Sequence, residues 1–249
     1  MRAKFLLSIL VFSLSANAQN LTSIQTDRPD LTECPFIVPI NYFQLENGFV
    51  YQQTNENNTT IVAPSILIKF GINNHFELRM VIEYELNNNY YSRASGINPV
   101  LFGFKSRLIE ENGILPTTSF IGHLSVPKLA TVNYKTAFSA PEFRFAMQHT
   151  ISKNQTLSYN LGAEWDGESA EPTFIYTLTT GYSFSEKVSV YAELYGFLPQ
   201  INPADHRFDG GFCYLLNPNN QLDISAGFGI SKISPNYFVG LGYSFRFKT

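Results

Sequence analysis

The stretch Phe76-Glu77-Leu78-Arg79-Met80-Val81-Ile82-Glu83-Tyr84-Glu85-Leu86 decides the fold. Strand side chains alternate with a period of two, so Phe76, Leu78, Met80, Ile82, Tyr84 and Leu86 share one face. Glu77, Arg79, Val81, Glu83 and Glu85 share the other. A helix would scatter both sets around its circumference. The same alternation returns at Leu157, Tyr159, Leu161, Ala163 and Trp165 against Ser158, Asn160, Gly162 and Glu164. It returns again at Phe174, Tyr176, Leu178, Thr180, Tyr182 and Phe184 against Thr173, Ile175, Thr177, Thr179, Gly181 and Ser183.

Extended along the chain, this reading predicts about twelve strands. They fall near 42 to 52, 62 to 72, 75 to 87, 97 to 109, 117 to 126, 139 to 151, 155 to 166, 172 to 184, 187 to 197, 206 to 216, 221 to 230 and 236 to 247. Their connections alternate in length. Short ones at Asn73-Asn74, Glu111-Asn112-Gly113, Ser152-Lys153-Asn154, Ser185-Glu186-Lys187 and Asn217-Pro218-Asn219-Asn220 carry turn-forming residues. Longer ones lie around Thr54 to Thr60, Asn87 to Ser95, Pro127 to Thr136, Asp166 to Glu171, Pro199 to Asp205 and Ser231 to Pro235. Short turns on one side and long loops on the other belong to transmembrane barrels, whose even strand count puts both termini in the periplasm.

Composition agrees. Aromatic and charged residues each make up 15% of the chain, and the charged share is far below the roughly 25% of soluble domains. A soluble sandwich would have to bury aromatics from too many alternating segments, whereas a barrel turns them towards lipid. The expected fold is therefore all-β, a transmembrane antiparallel up-and-down barrel in the bacterial outer membrane. Trp165 and the Tyr and Phe residues near strand ends are expected to form interfacial girdles.

Residues 1–18 read as a signal peptide. Arg2 and Lys4 give a positive start, Phe5 to Leu14 an apolar run, and Ala16-Asn17-Ala18 a cleavage site. The apolar run is too short to span a bilayer as a helix, and no later stretch approaches 18 apolar residues. Residues 19–41 then form an extended segment, expected in or under the lumen, and 42–249 the barrel. The net charge of −3 becomes −5 once Arg2 and Lys4 are removed. No basic patch points to nucleic acid.

The segment Thr26-Asp27-Arg28-Pro29-Asp30-Leu31-Thr32-Glu33-Cys34-Pro35, followed by Val38-Pro39 and Phe43-Gln44-Leu45-Glu46-Asn47-Gly48-Phe49, resembles the start of the MetA-pathway of phenol degradation family of outer-membrane transporters. Leu222-Asp223 and the closing Gly240-Leu241-Gly242-Tyr243-Ser244-Phe245-Arg246-Phe247 extend the resemblance over nearly the whole chain after the leader. It implies passage of aromatic compounds, although a family label does not fix one member's substrate. The last strand, with Tyr237, Val239, Leu241, Tyr243, Phe245 and Phe247 on one face, also resembles the aromatic-ended strand read by the outer-membrane insertion machinery. Lys248 and Thr249 follow it and depart from that pattern. Cys34 stands where the family usually has Ser. Cys213 lies on an inward phase, so a disulfide between them and two free thiols are both open.

Alternation assigns Glu46, Lys69, Glu77, Arg79, Glu83, Glu85, Lys105, Arg107, Glu142, Arg144, Glu164, Glu193, Asp209, Asp223 and Arg246 to the lumen. They can act as a selectivity lining or neutralise one another in cross-strand networks, and for any single residue the second reading is the expectation. Asp27, Arg28 and Asp30 of the opening motif can dock onto those charges or bind a periplasmic partner; docking is the expectation. No catalytic constellation, cofactor motif or metal spacing is recognised. His75, His123, His149 and His206 lack a Ser and acid arrangement, and His123 with Glu142 is at most a chance pair. Three functions follow in descending order: a channel for small solutes, aromatic or otherwise hydrophobic; a closed, non-transporting barrel; and a barrel lipid hydrolase.

Overall fold

The computed structural model describes residues 22–249, and the expected signal peptide lies outside the described residues. The barrel segments are β1 (Tyr42–Asn55), β2 (Asn58–Asn73), β3 (Phe76–Asn88), β4 (Arg93–Ile97), β5 (Val100–Ile109), β6 (Thr117–Val126), β7 (Pro141–Ser152), β8 (Gln155–Glu164), β9 (Thr173–Ser183), β10 (Val188–Pro199), β11 (Asp205–Asn217), β12 (Asn220–Gly229) and β13 (Tyr237–Lys248). β4 and β5 both pair with β3 and are halves of one stave. The result is a closed antiparallel barrel of twelve staves.

Closure is made by β13 against β1, in register from Tyr42↔Lys248 to Gln53↔Tyr237. A closed sheet leaves no edge of unpaired N–H and C=O groups, which is the condition for a strand protein to lie in hydrocarbon. Alternation sets which side faces out. In β8, Leu161 is 54% exposed while its neighbour Asn160 is fully buried. Outward aromatics stack in rows near the end that carries the termini and short turns: Phe43 lies 4.6 Å from Phe70 and 5.9 Å from Phe247, and Phe76 5.4 Å from Phe104.

Two expectations about connections are corrected. Thr54 to Thr60 was expected as a long loop, but β1 and β2 run on to Asn55 and Asn58, joined by Glu56-Asn57. The sequence there is all Thr, Asn and Glu, so no apolar phase marks the strands. The fourth stave, expected to start near 97, begins at Arg93 and breaks at Asn98-Pro99. Proline has no N–H for the ladder, and the Asn98 N–H reaches the Glu83 carbonyl at 3.0 Å.

The long connection after β6 mends this break. It contains two 3-10 turns, Pro127–Leu129 and Val132–Tyr134. Between them, Thr131 Oγ1 accepts the Ile97 N–H at 2.9 Å, and the Thr131 N–H reaches the Ile97 carbonyl at 3.0 Å. Gly96 makes the approach feasible, since a Cβ there would lie 2.5 Å from Thr131 Cβ.

Candidate functional site: the filled lumen

Residues 22–40 run inside the barrel. The segment enters at the turn end, where the Ile24 N–H bonds the Pro218 carbonyl at 2.8 Å. It leaves where the Asn41 N–H reaches the Gly71 carbonyl at 3.0 Å and the Tyr42 N–H reaches the Pro39 carbonyl at 3.1 Å. Asn41 itself turns the chain into β1 with a positive φ of 61°, a conformation Asn tolerates better than most residues. An irregular segment in a barrel needs partners for its backbone groups, and the inward phases of the staves supply them.

Asp27 is the centre of these contacts. Its Oδ2 lies 2.9 Å from both Lys69 Nζ and Arg79 Nη1, and its Oδ1 lies 2.9 Å from Lys105 Nζ. Wall carboxylates share the same cations: Glu46 is 2.5 Å from Lys69 and Glu77 is 3.1 Å from Arg79. The segment adds a second acid, Glu33, 2.5 Å from Arg79 Nη2. All three cations are buried. Ions removed from water each carry a penalty of several kcal/mol unless closely paired, so their pairing fixes where the segment can sit.

Hydrogen bonds from the segment's backbone and hydroxyl groups add to these ion pairs. Glu193 of β10 accepts the Leu31 and Thr32 N–H groups, both at 2.8 Å, and the Thr32 hydroxyl at 2.5 Å. Asn160 of β8 is reciprocal with Glu33: its Oδ1 accepts the Glu33 N–H at 2.7 Å, and its Nδ2 donates to the Glu33 carbonyl at 3.0 Å. The Ser119 hydroxyl donates to the Pro35 carbonyl at 2.6 Å, and the Val38 N–H donates to Glu77 at 2.8 Å. Arg28 pairs with Asp223 at 3.1 Å. It occupies the space left by Gly48 and Gly242, where added Cβ atoms would lie 2.1 and 2.5 Å from its side chain.

All fifteen expected lumen charges stand on inward phases, but they play different parts. Glu46, Lys69, Glu77, Arg79, Lys105, Arg144, Glu193, Asp223 and Arg246 contact the segment or the ion pairs around it; Arg144 donates to the Leu31 carbonyl at 3.2 Å, and Arg246 reaches Thr22. Glu142 holds Arg144 at 2.8 Å. Glu83 accepts from Ser65 at 2.9 Å, Glu85 from Asn98 at 3.2 Å, and Arg107 lies 3.5 Å from Glu110 near the turn end. Asp209 accepts from the Tyr191 hydroxyl at 3.3 Å, and Glu164 lines the loop-end mouth. In the opening motif, Thr26 accepts from Gln221 at 2.8 Å, while Asp30 makes no ion pair among the described residues and, with Pro29, faces a cavity.

Of the two readings left open for the cysteines, the structure has Cys34 and Cys213 as free thiols. The Cys34 N–H is held by Asp27 at 2.9 Å and its carbonyl by Lys105 at 2.7 Å, on the β5 side. Cys213 stands on β11, opposite Ser189 and Asp223. Both line a cavity of about 850 Å³ between the segment and the walls of β7 to β12.

A second cavity, of about 550 Å³, opens at the loop end between Glu164, Phe197, Asp205 and Arg207. There aromatic side chains join the polar lining of the interior. Beyond Glu193, the inward positions of β10 are Tyr195 and Phe197, 6.1 Å apart, with the Arg207 guanidinium 5.5 Å from the Phe197 ring. Among the described residues, the four histidines hold no catalytic arrangement with serine. His123 accepts from Arg79 Nε at 3.2 Å and lies 3.8 Å from Glu142, as part of the ion network.

The family model described as "Putative MetA-pathway of phenol degradation" matches residues 26–247, which begins in the luminal segment and ends in β13. The chain belongs to this family. Among solved structures, a MetA-pathway family chain with this fold resembles an outer-membrane channel of Pseudomonas putida F1 with a TM-score of 0.69 and 12% identity, over 90% of this chain and 100% of that one. It also resembles the NanC porin (TM-score 0.55, 10% identity, 82% of this chain and 98% of that one). The KdgM porin in complex with oligogalacturonate gives a TM-score of 0.54 at 11% identity, over 82% and 99%. At these identities the likeness is one of fold. No curated protein matches the sequence.

Inward polar residues that the sequence reading did not single out carry much of the docking: Gln44, Ser119, Asn160, Thr177, Thr179 and Gln221. Each stands on the polar phase of its strand, and that phase was the available signal.

Proposed function

We propose that this family member is an outer-membrane channel for small solutes whose lumen is closed by residues 22–40, with the termini and short turns on the periplasmic side. The carrying observation is the docking of that segment through Asp27 on Lys69, Arg79 and Lys105 and through Leu31 and Thr32 on Glu193. Such contacts are polar and exchangeable with water, unlike a packed apolar core, and they leave cavities open towards each end. Similar folds are outer-membrane channels and porins by name, and the family description supports aromatic compounds among the solutes.

Barrel width is consistent with this reading, since twelve staves lie between filled eight-stranded barrels and open porins of roughly 16 to 18. The test is single-channel recording in planar bilayers of the full chain and of Glu193→Ala. Brief, rare openings in the first and longer ones in the second support the channel. Silence in both, with folding verified, leaves a closed barrel that does not transport.

A further inference from the structure

The ion cluster around Asp27 is unevenly divided between wall and segment. On the wall, Glu46 sits on Lys69 at 2.5 Å and Glu77 on Arg79 at 3.1 Å. Lys105 has no wall carboxylate of its own; Glu77 is 4.0 Å away and already engaged. Its close acidic partner is Asp27, at 2.9 and 3.2 Å, and its Nζ is also held by the Cys34 carbonyl at 2.7 Å. Glu33 of the segment gives Arg79 a further acid, so of the three cations Lys105, fully buried, is the one whose close carboxylate is Asp27 alone.

We propose that Lys69, Arg79 and Lys105 form a carboxylate-binding site of the lumen wall, in which the Asp27 side chain is the resident occupant and a small monocarboxylate is the ligand when Asp27 is absent. The inference rests on the proposed reading of the lumen as closed by a docked segment, and it names the chemical group that the wall takes where the segment's carboxylate is missing. Geometry favours a carboxylate over a spherical anion. The cations approach two different oxygens, Lys69 and Arg79 at Oδ2 and Lys105 at Oδ1, and a forked acceptor satisfies both at once. A neutral solute of the same shape would leave the buried Lys105 ammonium without a close carboxylate.

Asp27→Ala in the full chain removes one carboxylate group and leaves a space of formate size. The variant is refolded in detergent micelles, and its unfolding temperature is read against sodium formate, sodium chloride and formamide at equal concentrations. Formate is expected to restore most of the temperature lost by the variant, saturably, and to leave the wild type unmoved. Formamide is expected to do nothing. Adding Lys105→Met to Asp27→Ala is expected to abolish the rescue. If Asp27→Ala refolds poorly, folded yield becomes the readout, with formate alone expected to raise it. No rescue by formate, equal rescue by chloride, or rescue that survives Lys105→Met overturns the proposal. Since the readout involves no transport, a barrel that fails to conduct leaves this result standing, and a failed rescue leaves the conduction test untouched.

Discussion

The carboxylate of Glu193 grips Thr32 twice, accepting its N–H at 2.8 Å and its hydroxyl at 2.5 Å. The two residues are 161 positions apart in sequence, and their contact is buried. It pins the middle of the luminal segment to β10. Glu193→Ala strands the Leu31 and Thr32 donors, at about 1–3 kcal/mol for each group left buried and unpaired. A lower unfolding temperature and a raised open probability are expected together. Glu193→Gln, which keeps an acceptor, should move both less.

Gly71 is expected to be intolerant of any side chain. A Cβ there would lie 2.2 Å from the Pro39 carbonyl oxygen and 2.3 Å from that of Val38, both backbone atoms that cannot swing aside. Gly71→Ala should push the segment off β2 where it joins the barrel. Limited proteolysis should then cut within residues 22–40 faster than in the wild type, while the barrel stays intact.

Outward positions answer to lipid. Leu161 is half exposed on β8, level with Phe145 of β7. Leu161→Arg places a charge on the lipid face and should cost about 2–4 kcal/mol near the bilayer midplane, read from urea unfolding in liposomes. Leu161→Phe should be nearly neutral there.

At the turn end, Glu111 accepts the Thr150 N–H and hydroxyl, both at 2.7 Å. The backbone donor first and the hydroxyl second hold its carboxyl below the ordinary 4.5. A depressed folded value means that the interaction contributes fully above pH 4.5 and is lost as pH falls through the lower folded value. The Glu111 carboxyl carbon, followed by NMR, should titrate below 4.5. Thr150→Ala should return it only part of the way, because the backbone donor remains.

Much of the barrel is legible in strand phase alone, because lipid outside and polar groups inside impose opposite demands on neighbouring residues. Phe76 to Leu86 and Tyr237 to Phe247 follow that rule with one inward apolar residue each, Val81 and Phe238. It fails where one demand is missing: Thr54 to Thr60 extends past the apolar band, and the Asn98-Pro99 break is repaired by Thr131, more than thirty residues away. Inward charges such as Lys105 and Glu193 were visible as a class. Their individual partners were not, since these come from residues 22–40, where no periodicity ties a side chain to a wall position. For Cys213, facing the interior said nothing about distance from Cys34.

The account rests on residues 22–40 being docked inside the barrel, and amide hydrogen exchange in lipid nanodiscs tests this most directly. Seven of their N–H groups, those of Ile24, Asp27, Leu31, Thr32, Glu33, Cys34 and Val38, are hydrogen-bonded in the structure. Slow exchange at these seven, approaching that of the neighbouring strands, is the predicted result. Exchange of all seven at the rate of an unfolded peptide would contradict it.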